Sequence, residues 1–127
     1  MAYYVRVQGE IKLTAVHGRI WLTKNGRNFL GHGRIELLQH IDETGSIAEA
    51  ARIMKMSYKS AWDAVDAMNR NSGFPLVERT SGGKGGGGSK LTEEARRLIS
   101  LYRKIETDHM EFLSRTSEAI KDSLDPA

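Results

Sequence analysis

The sequence predicts a mainly α-helical fold with small β elements, and three observations carry that expectation. Residues 46–71 hold two short amphipathic patterns with a brief break between them. Residues 76–92 hold two short extended segments around a glycine-rich run, and residues 92–121 hold one long helical pattern. A chain of 127 residues suits a single domain over 1–127 and can bury a core without covalent staples. There is no cysteine, which excludes disulfides and thiolate metal sites and suits a reducing compartment, so cytoplasm is the expected location. No apolar run approaches a membrane span, and residues 1–10 lack the charged-then-apolar pattern of a signal peptide.

At the start of the chain, Tyr3, Val5, Val7, Ile11 and Leu13 alternate with polar residues, the period of a half-buried strand, with Gly9 placed as a bulge. His17-Gly18 reads as a turn, Arg19 to Thr23 as the returning strand, and Lys24-Asn25-Gly26 as its end, giving a β-hairpin over 3–24. The next segment, 31–44, carries Ile35, Leu37, Leu38 and Ile41 and ends at Gly45, which is placed as a helix C-cap. His17 has no second ligand at metal spacing, His32 and His40 lack a nearby carboxylate-rich cluster, and although Glu36 and His40 stand four apart the H-E-x-x-H pattern is absent, so neither metal binding nor zinc hydrolysis is expected.

Ser46 then offers an N-cap, with Glu49 three residues on to close a capping box. Ile47, Ala50, Ala51 and Met54 recur at helical spacing, Lys55-Met56 makes a short turn, and Ser57 caps a second helix with Ala61, Trp62, Val65 and Met68 facing inward. Three alanines at 50, 51 and 61 let two helices cross closely at that turn, which is the geometry of a DNA-reading pair. Ser57, Tyr58, Lys59, Ser60 and Asp63 point outward at the end such helices push into the major groove. Lys59 can reach a guanine edge or a phosphate, and the hydroxyls suit phosphate oxygens or base edges. The alternative is a helical hairpin whose polar face is merely solvated.

Asn71 to Pro75 stops the second helix, Leu76 to Thr80 suits a strand, and Leu91-Thr92 suits its return after the run from Ser81 to Lys90. Residues 31–91 therefore read as a winged helix-turn-helix with a glycine-rich wing. Its glycines let backbone N–H groups approach a phosphate, Lys84 and Lys90 supply charge, and Arg79 stands at the base. A flexible linker would look similar, but only one helix follows. A nucleotide-binding P-loop fails on spacing, since Lys84 precedes Gly85 and Lys90 follows Ser89. Charge agrees with the wing reading. The net charge is +3, residues 45–91 carry seven Lys and Arg against four Asp and Glu, and residues 92–127 carry six against eight.

From Thr92 an acidic first turn suits the helix dipole. Leu91, Ala95, Leu98, Tyr102, Ile105, His109 and Phe112 then fall at steps of four and three, the rhythm of a two-helix seam, and a second stripe holds Ile99, Leu101, Met110 and Leu113. A helix apolar on more than one side has more than one partner. Residues 92–121 are therefore expected to form a dimerisation helix using Leu98, Tyr102, Ile105, Met110 and Leu113, with the outer contact at Met110 and Leu113. The pattern fades beyond Ser114, and residues 122–127 are expected to fray.

Several runs are specific: Ile41 to Ile47, Met56 to Asp63, Met68-Asn69, Pro75 to Arg79, and Gly82 to Gly88 ahead of Leu91-Thr92. On these the chain from Gly31 to about Tyr102 closely resembles the N-terminal domain of the ModE-type molybdate-responsive transcriptional regulators, relatives of the LysR-type winged-helix domain. The resemblance implies a homodimer on double-stranded DNA, with Tyr58 to Asp63 in the groove and the Lys84 wing on the backbone. Those regulators carry molybdate-binding domains after this one, and the sequence ends about where they would start. Molybdate or another oxyanion is therefore not carried over and no cofactor is expected. A stand-alone regulator, a partner of a separate oxyanion-sensing protein and a constitutive binder all stay open. The function expected is a sequence-specific transcriptional regulator, not an enzyme. The alternative is a dimerising protein-interaction adaptor on a winged-helix scaffold.

Overall fold

A computed structural model describes residues 6–7, 10–11, 14–81 and 87–125, the first four by backbone alone. In chain order the elements are β1 (Arg6–Val7), β2 (Glu10–Ile11), β3 (Leu22–Lys24), β4 (Arg27–Leu30), α1 (His32–Thr44), α2 (Ile47–Ile53), α3 (Tyr58–Ser72), β5 (Val77–Thr80), β6 (Gly88–Leu91) and α4 (Glu93–Leu124). The fold is mainly α-helical with small antiparallel β pairs, and its winged helix-turn-helix is followed by a long C-terminal helix. By internal contacts the chain divides into two compact units, residues 21–101 and residues 1–20 with 102–127.

The N-terminal β structure differs from expectation. Val7 pairs with Glu10, so the alternating stretch folds back on itself instead of running as one strand to His17-Gly18. Gly9, expected as a bulge, lies outside the described residues. The expected second strand pairs forward, β3 with β4, across Asn25 (φ 56°) and Gly26 (φ 73°). Two consecutive left-handed residues make the turn whose twist matches a hairpin, and Asn-Gly is the pair that adopts it at least expense. Residues 15–21 carry no regular structure.

In the unit 21–101 the core is built from Phe29 and Leu30 of β4, Ile35, Leu37, Leu38 and Ile41 of α1, Ala50 and Ala51 of α2, and Ala61, Val65 and Met68 of α3. Gly45 ends α1 as expected, left-handed at φ 71° with its N–H on the Ile41 carbonyl. The β3–β4 turn is tied to the end of α3: the Lys24 ammonium donates to the Ser72 carbonyl and sits 5.5 Å from the Phe74 ring centre. Asn69 fixes the next crossing. Its amide oxygen accepts from Leu76 N–H (2.8 Å) and Val77 N–H (3.2 Å), and its NH₂ donates to the Val77 carbonyl (3.1 Å). One side chain thereby sets where β5 leaves α3.

In the other unit the later part of α4 is covered by the segment before β3. Tyr102, 1% exposed, donates its hydroxyl to the Ile20 carbonyl, and Leu113, 2% exposed, lies against Gly18. Both are covered by the chain itself, where the sequence reading expected them at the dimer face. Of the other residues assigned to it, Leu98 and Met110 are half-buried and Ile105 is exposed. The helix also runs on to Leu124 where the apolar pattern fades. There the buried side is held by polar groups: Val16 N–H donates to the Ser117 hydroxyl (2.8 Å), and the Thr14 hydroxyl donates to Asp125 (2.8 Å). Residues 122–124, in the stretch expected to fray, continue the helix.

Candidate nucleic-acid interface

Ser46 caps α2 by accepting the Glu49 N–H at 3.1 Å. The reciprocal half of the capping box is not made. Glu49 pairs with Arg52 at 2.9 Å, and the Ser46 N–H is taken by the Thr44 hydroxyl at 3.2 Å. Between α2 and α3 the chain reverses through Lys55 in the left-handed region (φ 56°), and the Met56 N–H closes on the Ala51 carbonyl at 3.0 Å. Ala50, Ala51 and Ala61 are all buried, and such small side chains let the two helices meet at so short a turn. Ser57 then caps α3, accepting the Ser60 N–H at 3.0 Å and donating its own proton to the Ser60 hydroxyl at 2.8 Å.

Tyr58, Lys59, Ser60 and Asp63 are exposed along the start of α3, as the sequence predicts. Lys59 and Asp63 form an ion pair at 2.8 Å, and the hydrogen bond and charge of Asp63 hold the Lys59 ammonium above its ordinary pKa of 10.5. Trp62 was expected in the core and is not there; it is 45% exposed. The buried stripe of α3 is Ala61, Val65, Met68 and Ser72, stepping four, three, four. One residue past Ala61 is a rotation of about 100°, which carries Trp62 off the core and onto the side of Tyr58, four residues earlier.

The wing strands pair Val77 with Leu91, Glu78 with Lys90, Arg79 with Ser89 and Thr80 with Gly88. Side chains alternate between faces along a strand, so Arg79 and Ser89 share the face of the buried Val77 and Leu91, while Lys90 stands opposite Glu78 on the other. The structure thus brings Arg79 beside α3 and does not bring Lys90 with it. Lys84 lies outside the described residues. A cavity of about 240 Å³ opens between α2, α3 and the wing, lined among others by Ser46, Ile47, Tyr58, Trp62, Arg79 and Ser89.

Two wing glycine-run N–H groups expected to face a phosphate are occupied. Gly88 N–H donates to the Thr80 hydroxyl (2.9 Å) and Ser89 N–H to the Gly45 carbonyl (2.8 Å). A side chain at Gly88 would meet that carbonyl at 2.6 Å, so this glycine serves close packing on the end of α1. At the far side of the wing, Thr92 donates its N–H to the Leu76 carbonyl and its hydroxyl to the Pro75 carbonyl, and caps α4 by accepting the Ala95 N–H. Arg96 holds Asp42 of α1 through two hydrogen bonds of 2.9 and 3.2 Å. The wing is thereby fixed at both ends.

Residues 32–96, just over half of the chain, match the model of the bacterial regulatory helix-turn-helix proteins of the LysR family. The chain belongs to that family. This LysR-family match begins at the first residue of α1 and ends in the first turn of α4, so it covers the reading helices and the wing together. Curated relatives agree. The molybdenum transport protein ModE of Azotobacter vinelandii is 44% identical over 93 residues, 73% of this chain and 34% of its own length. The transcriptional regulator ModE of Haemophilus influenzae is 51% identical over 78 residues, 61% of this chain and 31% of its own. The DNA-binding transcriptional dual regulator ModE of Escherichia coli is 48% identical over 96 residues, 76% and 34%. The chain therefore spans about a third of the length of the curated relatives it matches.

Within the LysR-family unit Trp62 is the exposed cavity-lining residue that sequence reasoning placed in the core. Its i,i+4 spacing from Tyr58 was the available signal. A larger hollow of about 440 Å³, lined by Asn25, Arg27, Asn28, Ala67, Arg70 and Asn71, lies toward the other end of α3. His32 and His40 each sit beside one glutamate of their own helix, Glu36 at 2.9 Å and Glu43 at 3.3 Å. Among the described residues no group of three or more His, Cys, Asp or Glu could hold a metal, and no helix is long and apolar enough to cross a membrane.

Proposed function

We propose that this chain is the sequence-specific DNA-binding part of a transcriptional regulator, working in the cytoplasm as a homodimer without catalytic activity. The observation that carries the reading is the conjunction of an exposed, capped N-terminal end of α3 with a basic wing residue, Arg79, on the same side of one rigidly tied unit. Ser57, Tyr58, Lys59, Ser60 and Asp63 are the groove-facing residues, Arg79 and Lys84 contact phosphates, and Lys90 contributes from the outer face of the wing. The names of the relatives support the reading, since two of those given above are called transcriptional regulators.

Dimerisation is assigned to the exposed face of α4. Leu101, Ile105 and Phe112 are 58%, 43% and 50% exposed, and with half-buried Leu98 they follow steps of three, four and seven along one side of the helix. Response to molybdate or another oxyanion is left to a separate sensing part or protein. Selection of bound sequences from a random duplex pool tests the proposal. A common half-site, repeated at a fixed spacing, is expected; enrichment of nothing would leave the adaptor function in its place.

A further inference from the structure

Trp62 lies neither in the core nor on the fully outward line of α3. Lys59 and Asp63 define that line, and Trp62 with Tyr58 occupies the side toward the wing, where both line the 240 Å³ cavity. They are 45% and 52% exposed. Arg79 reaches the same cavity from β5. Tyr58, Trp62 and Arg79 make no side-chain hydrogen bond or ion pair with another described residue, and no carboxylate is among the described residues lining the space. The cavity thus offers a guanidinium, a phenol O–H and an indole N–H beside the apolar face of an indole ring. That is donor chemistry for a phosphate next to a surface for sugar carbons. Its volume of about 240 Å³ has room for one sugar-phosphate unit.

We propose that this cavity seats one deoxyribose-phosphate unit of the DNA strand passing between α3 and the wing, with Trp62 as a positioning residue. The phosphate takes the Arg79 fork and the Tyr58 hydroxyl, and the sugar lies on Trp62. The seat sets how deeply α3 enters the groove. It adds affinity without base preference, and it rests on the DNA-binding reading above.

The test uses a duplex chosen from the random pool, in a set where one phosphate at a time is replaced by an uncharged methylphosphonate. One linkage in each half-site is expected to weaken wild-type binding about tenfold when neutralised, and to change Arg79→Gln binding by less than about twofold. Trp62→Leu should weaken all duplexes about tenfold while the selected sequence and the salt slope stay as in wild type; Arg79→Gln should lower that slope by about one. Trp62→Phe, which keeps a ring, should recover most of the loss. A changed base preference in Trp62→Leu, or no linkage coupled to Arg79, overturns the seat while leaving DNA binding intact. Should Trp62→Leu fail to fold, the linkage series with Arg79→Gln decides alone. If the wild type selects no duplex at low salt, the DNA-binding reading falls and the seat with it.

Discussion

Lys59 is held along α3 by Asp63 at 2.8 Å, so it reaches a base edge only by sharing or leaving that carboxylate. On the proposed DNA-binding reading, Asp63 also repels phosphates on any duplex, right or wrong, which would make the pair a filter: only a sequence that gives Lys59 an acceptor at least as good offsets the loss. Asp63→Ala is therefore expected to tighten binding to unrelated DNA more than to the selected site, lowering the specificity ratio by about 1 kcal/mol, measured by competition at one fixed salt concentration. An unchanged ratio would remove Asp63 from the site. Lys59→Ala should alter the preferred bases, whereas Arg79→Ala and Lys84→Ala should weaken all sequences alike. Since Asp63 raises the Lys59 pKa above 10.5, whatever the pair adds to stability is complete below that pH and fades only in more alkaline solution. DNA binding should not titrate through Lys59 near neutrality. Lys55 is the other informative single residue. Its left-handed backbone strains a side chain that glycine lacks, so Lys55→Gly should leave the fold intact and raise stability by up to about 1 kcal/mol, read from thermal melting. A clear loss of stability would mean that the turn depends on the lysine side chain.

Among the elements, the wing depends most on one position. Gly88 is pressed on the Gly45 carbonyl, so Gly88→Ala must push β6 off the end of α1, with an expected loss of about 1–3 kcal/mol and a weakened hold on DNA; a melting point unchanged from wild type would show that β6 has room to move. The helices were legible because their signals are local: Gly45, Ser46 and Ser57 stand where the backbone stops or starts, and each makes the cap its residue type allows. The family-like runs at 41–47 and 56–63 fall on those same caps. What escaped the sequence depends on partners far along the chain. Which face Lys90 takes is fixed by register across the wing, and glycines give no alternation from which to read register. Trp62 and Ala61 sit at the two sides of one stripe edge, and the close crossing at Ala61 decides which turns inward. The turn at Asn25-Gly26 outcompetes His17-Gly18 because both of its residues accept positive φ.

For the whole molecule, the proposed homodimer requires a surface that holds two reading units together. Tyr102 and Leu113, two of the five residues the sequence suggests for the dimer face, are covered by the chain's own segment ahead of β3. What it leaves on α4 is narrower and cleaner. Leu98, Leu101, Ile105 and Phe112 fall within about 60° of one another at 100° per residue, and the last three are exposed. A second copy presenting the same face would bury them in a self-complementary contact, as two-fold dimers require. It would also convert the second half-site encounter into an intramolecular one, which raises affinity by orders of magnitude without a new DNA contact. Replacing Ile105 and Phe112 together by Glu is accordingly expected to give a folded monomer with little affinity for the selected site, since the two α3 helices are then no longer held a helical turn of DNA, or a multiple of it, apart. Glu at Met110 and Leu113 should instead unfold the end of α4, because Leu113 is buried within the chain. Sedimentation with circular dichroism separates the cases: a double variant at Ile105 and Phe112 that stays helical and dimeric would place the interface off this face.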